Sequence, residues 1–141
     1  MFDMRLNSHS RLNLITALVQ ATKAGADEAL MLDDRGYVSS CNATNFFIVK
    51  KGRVSTSTGA SCFNGITRDN VIELCEQNGI PCREHDFTLA EAYDADEAFV
   101  TGTFGGVTPV GMIDGRVCPD VSGPLTQRLK SLYADYAKTA D

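Results

Sequence analysis

The sequence has no stretch of about 20 apolar residues, the length that a membrane-spanning helix needs, and no basic start followed by a long apolar core. It also has no run of Lys or Arg interleaved with aromatic residues, and its formal net charge is -5. These absences argue against a membrane or a nucleic acid as partner. We therefore expect a soluble, cytoplasmic protein.

Paired metal-binding or disulfide-forming motifs are also missing. None of the five cysteines belongs to a CxxC pair, which disfavours both a zinc site and a disulfide framework. Neither His9 nor His85 has a Cys or carboxylate at metal-ligand spacing. We expect reduced thiols and no metal site. The cysteines are Cys41, Cys62, Cys75, Cys82 and Cys118.

What is present is a chain of 141 residues that is 43% hydrophobic, enough for one compact domain over residues 1–141. Apolar spacing, turn residues and capping residues predict both helices and strands. The predicted helices are 11–24, 67–78, a short one beginning at Thr88, and 124–137; the predicted strands are 28–33, 37–40, 45–49, one near Val54, one near Cys82, 97–101 and 107–112.

The segment Asn64–Asp69 places a glycine, Gly65, directly before a predicted helix. Free backbone N–H groups and the positive end of the helix then converge beside the Thr67 hydroxyl. Such an arrangement suits a phosphate group, although a glycine at this place can also be only a turn.

A second glycine-rich segment, Thr101–Val110, joins two predicted strands through three glycines flanked by hydroxyl groups. Glycines allow the backbone to approach a ligand closely, and successive amides at such a bend can bind an anion. Thr103 would add a hydroxyl donor. A β-bulge or a wide hairpin explains the same composition, so both interpretations stay open.

Together with several other segments, these two stretches resemble the class IV aminotransferases, the family of branched-chain and D-amino-acid aminotransferases. The resemblance runs from about Leu12 to the closing helix. The further matching segments are Ala26–Asp33, Gly36–Val38, Asn45–Val49, Ala95–Glu97 and Gly123–Thr126.

The resemblance implies the larger, C-terminal domain of that family, an α+β fold in which a mixed sheet forms a barrel-like core with helices outside. It also implies a homodimer with pyridoxal 5′-phosphate bound between two domains. Gly65, Ile66 and Thr67 would then hold the phosphate, with Thr103 and Phe104 on its other side. Amides of Phe104 and Gly105 would meet the carboxylate of an amino acid or 2-oxo acid.

The sequence departs from the family at the lysine that forms a Schiff base with the cofactor. The expected position falls at Asn7 or, with a one-residue bulge, at Leu6, and no lysine precedes Lys23. Arg5 cannot replace it, because a guanidinium stays protonated and is a poor nucleophile. We therefore assign no catalytic residue.

Two more departures concern the cofactor ring and the length of the chain. Ser40 stands where most of the family has a glutamate that keeps the pyridine nitrogen protonated, and it offers only a neutral hydrogen bond. Ser40 can equally be a polar residue at a strand end. The family's small N-terminal domain has no counterpart here, so we expect this chain to be inactive by itself.

Four functions remain open at this point. The first is a pyridoxal-phosphate transaminase, and the second is an aminodeoxychorismate lyase-like enzyme. The third is a non-catalytic relative that keeps the fold and the phosphate site, with the cofactor, phosphate alone or nothing bound. The last is a dimerising domain without a ligand, since the surface meant for an absent domain would leave an apolar patch.

Overall fold

The computed structural model describes residues 19, 22–23, 25–41, 44–58, 65–102 and 106–139. They form strands and helices. In chain order these are β1 (Leu30–Leu32), β2 (Val38–Cys41), β3 (Asn45–Lys50), β4 (Arg53–Thr56), α1 (Ile66–Gln77), β5 (Cys82–Glu84), α2 (Leu89–Tyr93), β6 (Glu97–Gly102), β7 (Gly106–Pro109), β8 (Met112–Ile113), β9 (Arg116–Val117) and α3 (Pro124–Thr139).

A five-stranded sheet in the order β5-β4-β3-β6-β7 forms the centre of the fold, and β1-β2 and β8-β9 form two smaller antiparallel sheets. Within the large sheet β4 and β5 are parallel and the other neighbours are antiparallel. A parallel pair requires a long crossover, and α1 lies within this one. The predicted α+β fold with a mixed sheet and helices is confirmed.

Both faces of the large sheet are covered. Every residue of β3 except Lys50 is buried, so the central strand contributes side chains to two apolar clusters. On one face Phe47 stacks on Phe99, with the ring centroids 4.8 Å apart, beneath α1 and α3. On the other face Phe46 packs with Phe87 and with side chains of β2 and α2.

Several local predictions are confirmed by backbone geometry. Thr88 and Glu91 form a reciprocal capping box at the start of α2. Asp114 and Gly115 have φ of 51° and 79°, as the two-residue turn between β8 and β9 requires. The predicted strand 107–112 is divided in two, since Val110 and Gly111 lie between β7 and β8.

The predicted first helix, 11–24, lies mostly outside the described residues. Val19, Thr22 and Lys23 are helical, and Gly25, with φ of 84°, takes the left-handed conformation expected after a helix. None of the helices in the described part of the chain is long and apolar enough to cross a membrane.

The start of α3 is held by a carboxylate from the sheet. Glu97, which is 4% exposed, accepts hydrogen bonds from the backbone amides of Leu125 at 3.4 Å and Thr126 at 2.9 Å. A negative charge at this end of a helix is stabilising, because it accepts hydrogen bonds from free N–H groups and is attracted by the positive end of the helix dipole. The contact leaves no space at Gly123, where a Cβ would lie 2.5 Å from Cδ of Glu97.

Replacing Gly123 by alanine should therefore destabilise the fold, by about 1–3 kcal/mol, the usual cost of overpacking. The Glu97 carboxylate would have to move and lose its bonds to α3. Chemical denaturation measures the change in the free energy of unfolding. Gly111→Ala is the matched control, because its Cβ would meet nothing closer than 3.7 Å. Equal stability of the two variants would contradict the contact between Gly123 and Glu97.

The thiols of the described cysteines differ in acidity. Burial, with the nearby charge of Glu28, raises the pKa of Cys41 to about 12, and burial also raises the pKa of Cys118. The thiols of Cys75 and Cys82 are hydrogen-bonded to each other, and Cys75 is the donor when Cys82 is ionised. That bond raises the pKa of Cys75 and lowers the pKa of Cys82, which is also only partly buried.

We predict that iodoacetamide labels Cys82 before Cys41, Cys75 and Cys118, because only a thiolate reacts and Cys82 forms one at lower pH. Peptide mass mapping after short exposure at neutral pH measures the order of labelling. Cys75→Ala removes the donor and should slow the labelling of Cys82 several-fold, whereas Cys118→Ala should not. An unchanged rate in Cys75→Ala would show that the hydrogen bond does not set the acidity of Cys82.

Candidate functional site

Within the described residues, no side chain caps the N-terminus of α1. Gly65 occupies the N-cap position in an extended conformation and has no side chain to offer the first turn. The amides of Ile66 and Thr67 are thus available to an acceptor from elsewhere. Ile66 is 80% exposed, whereas the side chain of Thr67 turns inward and is 6% exposed. A positive helix end with free amides beside a hydroxyl is an anion-binding arrangement.

A close contact fixes this helix end against the sheet. A Cβ on Gly65 would lie only 2.7 Å from Oδ1 of Asn45, the buried first residue of β3. In the antiparallel pairing of β3 with β6, Asn45 lies opposite Thr101. The end of β6 and the start of β7 therefore lie at the same end of the sheet as the start of α1.

The two glycines that end β6 and begin β7, Gly102 and Gly106, are closely packed. A Cβ on Gly102 would lie 3.1 Å from Cγ2 of Thr44. Gly106 has φ of 59° and lies against the ring of Tyr133 of α3, 3.1 Å from where its Cβ would be. These two glycines, which flank the segment between β6 and β7, are thus positioned by the strands and by α3.

Thr101 carries an unsatisfied polar group at this place. Its side chain is 1% exposed, and its Oγ1 has no hydrogen-bond partner in the described part of the chain. A buried hydroxyl without a partner costs about 1–3 kcal/mol, so a ligand or water that accepts from it would be stabilised. Thr101 faces the same side of the sheet as Asn45, the side covered by α1.

Ser40 lies near this end of the sheet as well. It is fully buried in β2. The next residue, Cys41, donates its backbone N–H to the carbonyl oxygen of Thr44, 2.9 Å away, which brings the end of β2 to the start of β3. The hydroxyl of Thr44 donates to the carboxylate of Glu28, at 3.0 and 3.1 Å from its two oxygens.

A buried arginine in the first turn of α1 connects this helix to the sheet. The Arg68 guanidinium, 3% exposed, donates to the carbonyl oxygen of Ser57 at 2.8 Å and forms an ion pair with Glu84 of β5. Its Nε is buried without a hydrogen-bond partner within the described residues. Arg68 therefore ties the first turn of α1 to the strand ends on either side of it.

The predicted residues Gly65, Ile66 and Thr67 lie at the same end of the sheet as Gly102 and Gly106, which flank the segment between β6 and β7. The other predicted binding residues of that segment, Thr103, Phe104 and Gly105, lie outside the described residues, as do Leu6 and Asn7. Lys23 is exposed.

Three residues of the site were not predicted: Asn45, Thr101 and Arg68. Asn45 and Thr101 are polar residues in otherwise apolar strands, which is a usable signal for a ligand or a buried hydrogen bond. Arg68 falls on the helical stripe of Val71 and Cys75, three and seven residues before them, and this spacing places it on the buried face.

The chain is similar to known proteins in sequence and in fold. The family model described as "Amino-transferase class IV" matches residues 2–113. The chain is 42% identical over 132 residues to branched-chain-amino-acid aminotransferase-like protein 2 of Arabidopsis thaliana, covering 93% of this chain and 24% of that protein. It is 42% identical over 125 residues to the branched-chain-amino-acid aminotransferase of Pseudomonas aeruginosa, covering 88% and 41%.

A solved structure with the same fold is the branched-chain aminotransferase of the thermophilic archaeon Thermoproteus uzoniensis with norvaline. The TM-score is 0.85 at 36% identity, over 95% of this chain and 48% of that one. The chain thus spans less than half the length of these curated relatives and of this structure. From the extent of the family match and the shared fold, the chain belongs to the class IV aminotransferase family.

Proposed function

We propose that this chain is the cofactor-holding, C-terminal part of a pyridoxal 5′-phosphate-dependent aminotransferase, which transfers an amino group between an amino acid and a 2-oxo acid. The observation that carries the proposal is the N-terminus of α1, which no side chain caps within the described residues and which packs on Asn45 at the same end of the sheet as Gly102 and Gly106. A phosphate ester is the ligand that this arrangement suits best.

The phosphate would be held by the amides of Gly65, Ile66 and Thr67 and by the Thr67 hydroxyl. Thr103 and Phe104 would contact it from the other side. Amides of Phe104 and Gly105 would bind the carboxylate of the substrate. The hydroxyl of Thr101, which has no hydrogen-bond partner among the described residues, supports a polar ligand at this end of the sheet. These roles fit the positive N-terminal end of α1 and the close packing of Gly65 on Asn45.

Ser40 would lie at the pyridine nitrogen of the cofactor. When bound, the cofactor supplies an electron sink for the bonds at the substrate α-carbon. A serine hydroxyl exchanges a neutral hydrogen bond with the ring nitrogen and cannot hold it protonated as a carboxylate does. We therefore propose that this chain binds the cofactor ring without strengthening its electron-withdrawing character.

The residues fit the phosphate end of the cofactor and do not fit its covalent attachment. The sequence has asparagine at position 7 and leucine at position 6, where the lysine is expected. Without a lysine amine the chain has no group at that place to bind the aldehyde or to carry a proton to and from the α-carbon. We propose that this chain binds the cofactor non-covalently and does not catalyse transamination by itself.

The names of the relatives favour branched-chain amino acids and their 2-oxo acids as substrates of the whole protein. They also favour amino transfer over a lyase reaction. We further propose that residues 1–141 fold as one domain, and that the protein is a cytoplasmic homodimer.

Pyridoxamine 5′-phosphate should bind the purified chain, because it carries the phosphate and needs no lysine. Pyridoxamine, which lacks the phosphate, should bind at least about tenfold more weakly, the loss expected for hydrogen bonds to a charged group. Thr67→Val should weaken binding of the phosphate ester by about tenfold. Titration calorimetry measures the three affinities.

Two controls separate a loss of ligand contacts from a loss of folding. Thr139→Val removes an exposed hydroxyl at the end of α3 and should bind like wild type. Thermal denaturation of Thr67→Val should show that the variant is folded. Equal affinity for pyridoxamine and its phosphate ester would contradict a phosphate site at α1.

Introducing the missing lysine tests the attachment. Asn7→Lys should form a linkage to pyridoxal 5′-phosphate that borohydride fixes, seen as a mass increase on the peptide that carries position 7. Leu6→Lys tests the alternative register, and Ser8→Lys is the control for accidental labelling of an added amine. A specific linkage in the wild-type chain, or equal labelling of all three variants, would contradict the assignment of position 6 or 7.

A further inference from the structure

A cluster of basic residues lies at the end of the central sheet opposite to the start of α1. A cavity of about 310 Å³ opens where β3 turns into β4. Four of its five lining residues are basic, in a chain with 13 basic and 18 acidic residues. The lining residues are Lys50, Lys51, Arg53, Ser55 and Arg83.

The turn that carries these residues has a defined geometry. Lys51 and Gly52 have φ of 50° and 76°, and Lys50 and Arg53 are directly opposite in the register of β3 and β4. Positive φ at both central residues is typical of the type I′ turn, which matches the twist of the hairpin. Asp96 fixes the turn further by accepting the backbone N–H of Lys51 at 2.8 Å.

The side chains of the cavity lie on one face of the sheet. Val49 and Val54 face α1 and α3, so their neighbours Lys50, Arg53 and Ser55 face the opposite side. Arg83 joins them because it pairs with Ser55 in the parallel register, and its Nε lies 3.5 Å from the Ser55 hydroxyl. The hairpin and the edge strand β5 thus direct two guanidinium groups and a hydroxyl to the same cavity.

The charges in this cavity are only partly balanced. Lys50 forms ion pairs with Asp94 and Asp96, each at 3.4 Å. Arg53 and Arg83 form no ion pair with any residue that the structure describes. Like charges directly opposite each other in an antiparallel pair destabilise it, which is the situation of Lys50 and Arg53. An anion in the cavity would reduce the part of this repulsion that Asp94 and Asp96 do not already offset.

We propose that the cavity is a binding site for a small anion that carries a diphosphate group. Planar guanidinium groups bind phosphate oxygens through two parallel hydrogen bonds, and Arg53 and Arg83 provide two such groups. A cavity of about 310 Å³ is at the small end of ligand sites, which fits a diphosphate better than a large organic ligand.

This site is separate from the start of α1. Strand β3 runs from Asn45 at one site to Lys50 at the other. At about 3.4 Å per residue, the two ends are about 17 Å apart. One phosphate group therefore cannot contact both sites.

The probe for the test is inorganic pyrophosphate, titrated into the purified chain at constant ionic strength. Arg53→Gln and Arg83→Gln should each weaken its binding by about tenfold or more, because each removes hydrogen bonds to a charged group. Lys130→Gln removes one positive charge from an exposed position on α3 and should change the affinity less than about twofold, since distant charges are screened.

Titrations with other anions test which kind of ligand the cavity binds. Binding of ADP as tightly as pyrophosphate, or more tightly, supports the proposal and indicates a nucleotide as the source of the diphosphate. Citrate binding with equal affinity would overturn the assignment to phosphate. Absence of pyrophosphate binding at millimolar concentration would overturn the site itself.

The last control distinguishes this site from the one at α1. Thr67→Val should leave pyrophosphate binding unchanged while it weakens pyridoxamine 5′-phosphate. If Thr67→Val abolishes pyrophosphate binding and Arg53→Gln does not, the anion binds at α1 and the present proposal is wrong. If one of the two proposed sites is shown to be wrong, the test of the other site therefore still holds.

Discussion

The contact between Gly65 and Asn45 determines where the candidate site can form. Asn45 begins the central strand β3, which pairs with β4 on one side and β6 on the other. With a Cβ position only 2.7 Å from the Asn45 side chain, the backbone at Gly65 approaches the sheet as closely as a glycine allows. The first amides of α1 are thereby held over the end of β6, and the site depends on that placement.

Features that neighbouring residues decide could be predicted from the sequence. The limits of α1, the capping box of Thr88 and Glu91, and the Asp114–Gly115 turn follow from spacing and from the conformations that these residues favour. Such features depend on contacts within a few residues. They could therefore be predicted without knowledge of the fold.

Contacts between residues that are far apart in the sequence could not be predicted in this way. No local pattern pairs Glu97 with the start of α3, 28 and 29 residues away. Likewise, the buried position of Arg68 depends on the carbonyl of Ser57 and the carboxylate of Glu84, which the folded chain brings to it. Charged residues on a helix are usually expected to face water, and only an ion pair with hydrogen bonds makes burial acceptable.

The two proposed anion sites require a local concentration of positive charge, because the chain has a net charge of -5. At the start of α1 this comes from backbone amides and the helix dipole, which need no basic side chain. At the β3–β4 turn it comes from basic side chains on one face of the sheet. The separation of about 17 Å exceeds the Debye length of about 8 Å at physiological salt. Direct electrostatic competition between the two proposed sites is therefore weak, and coupling between them would require a change in the sheet that connects them.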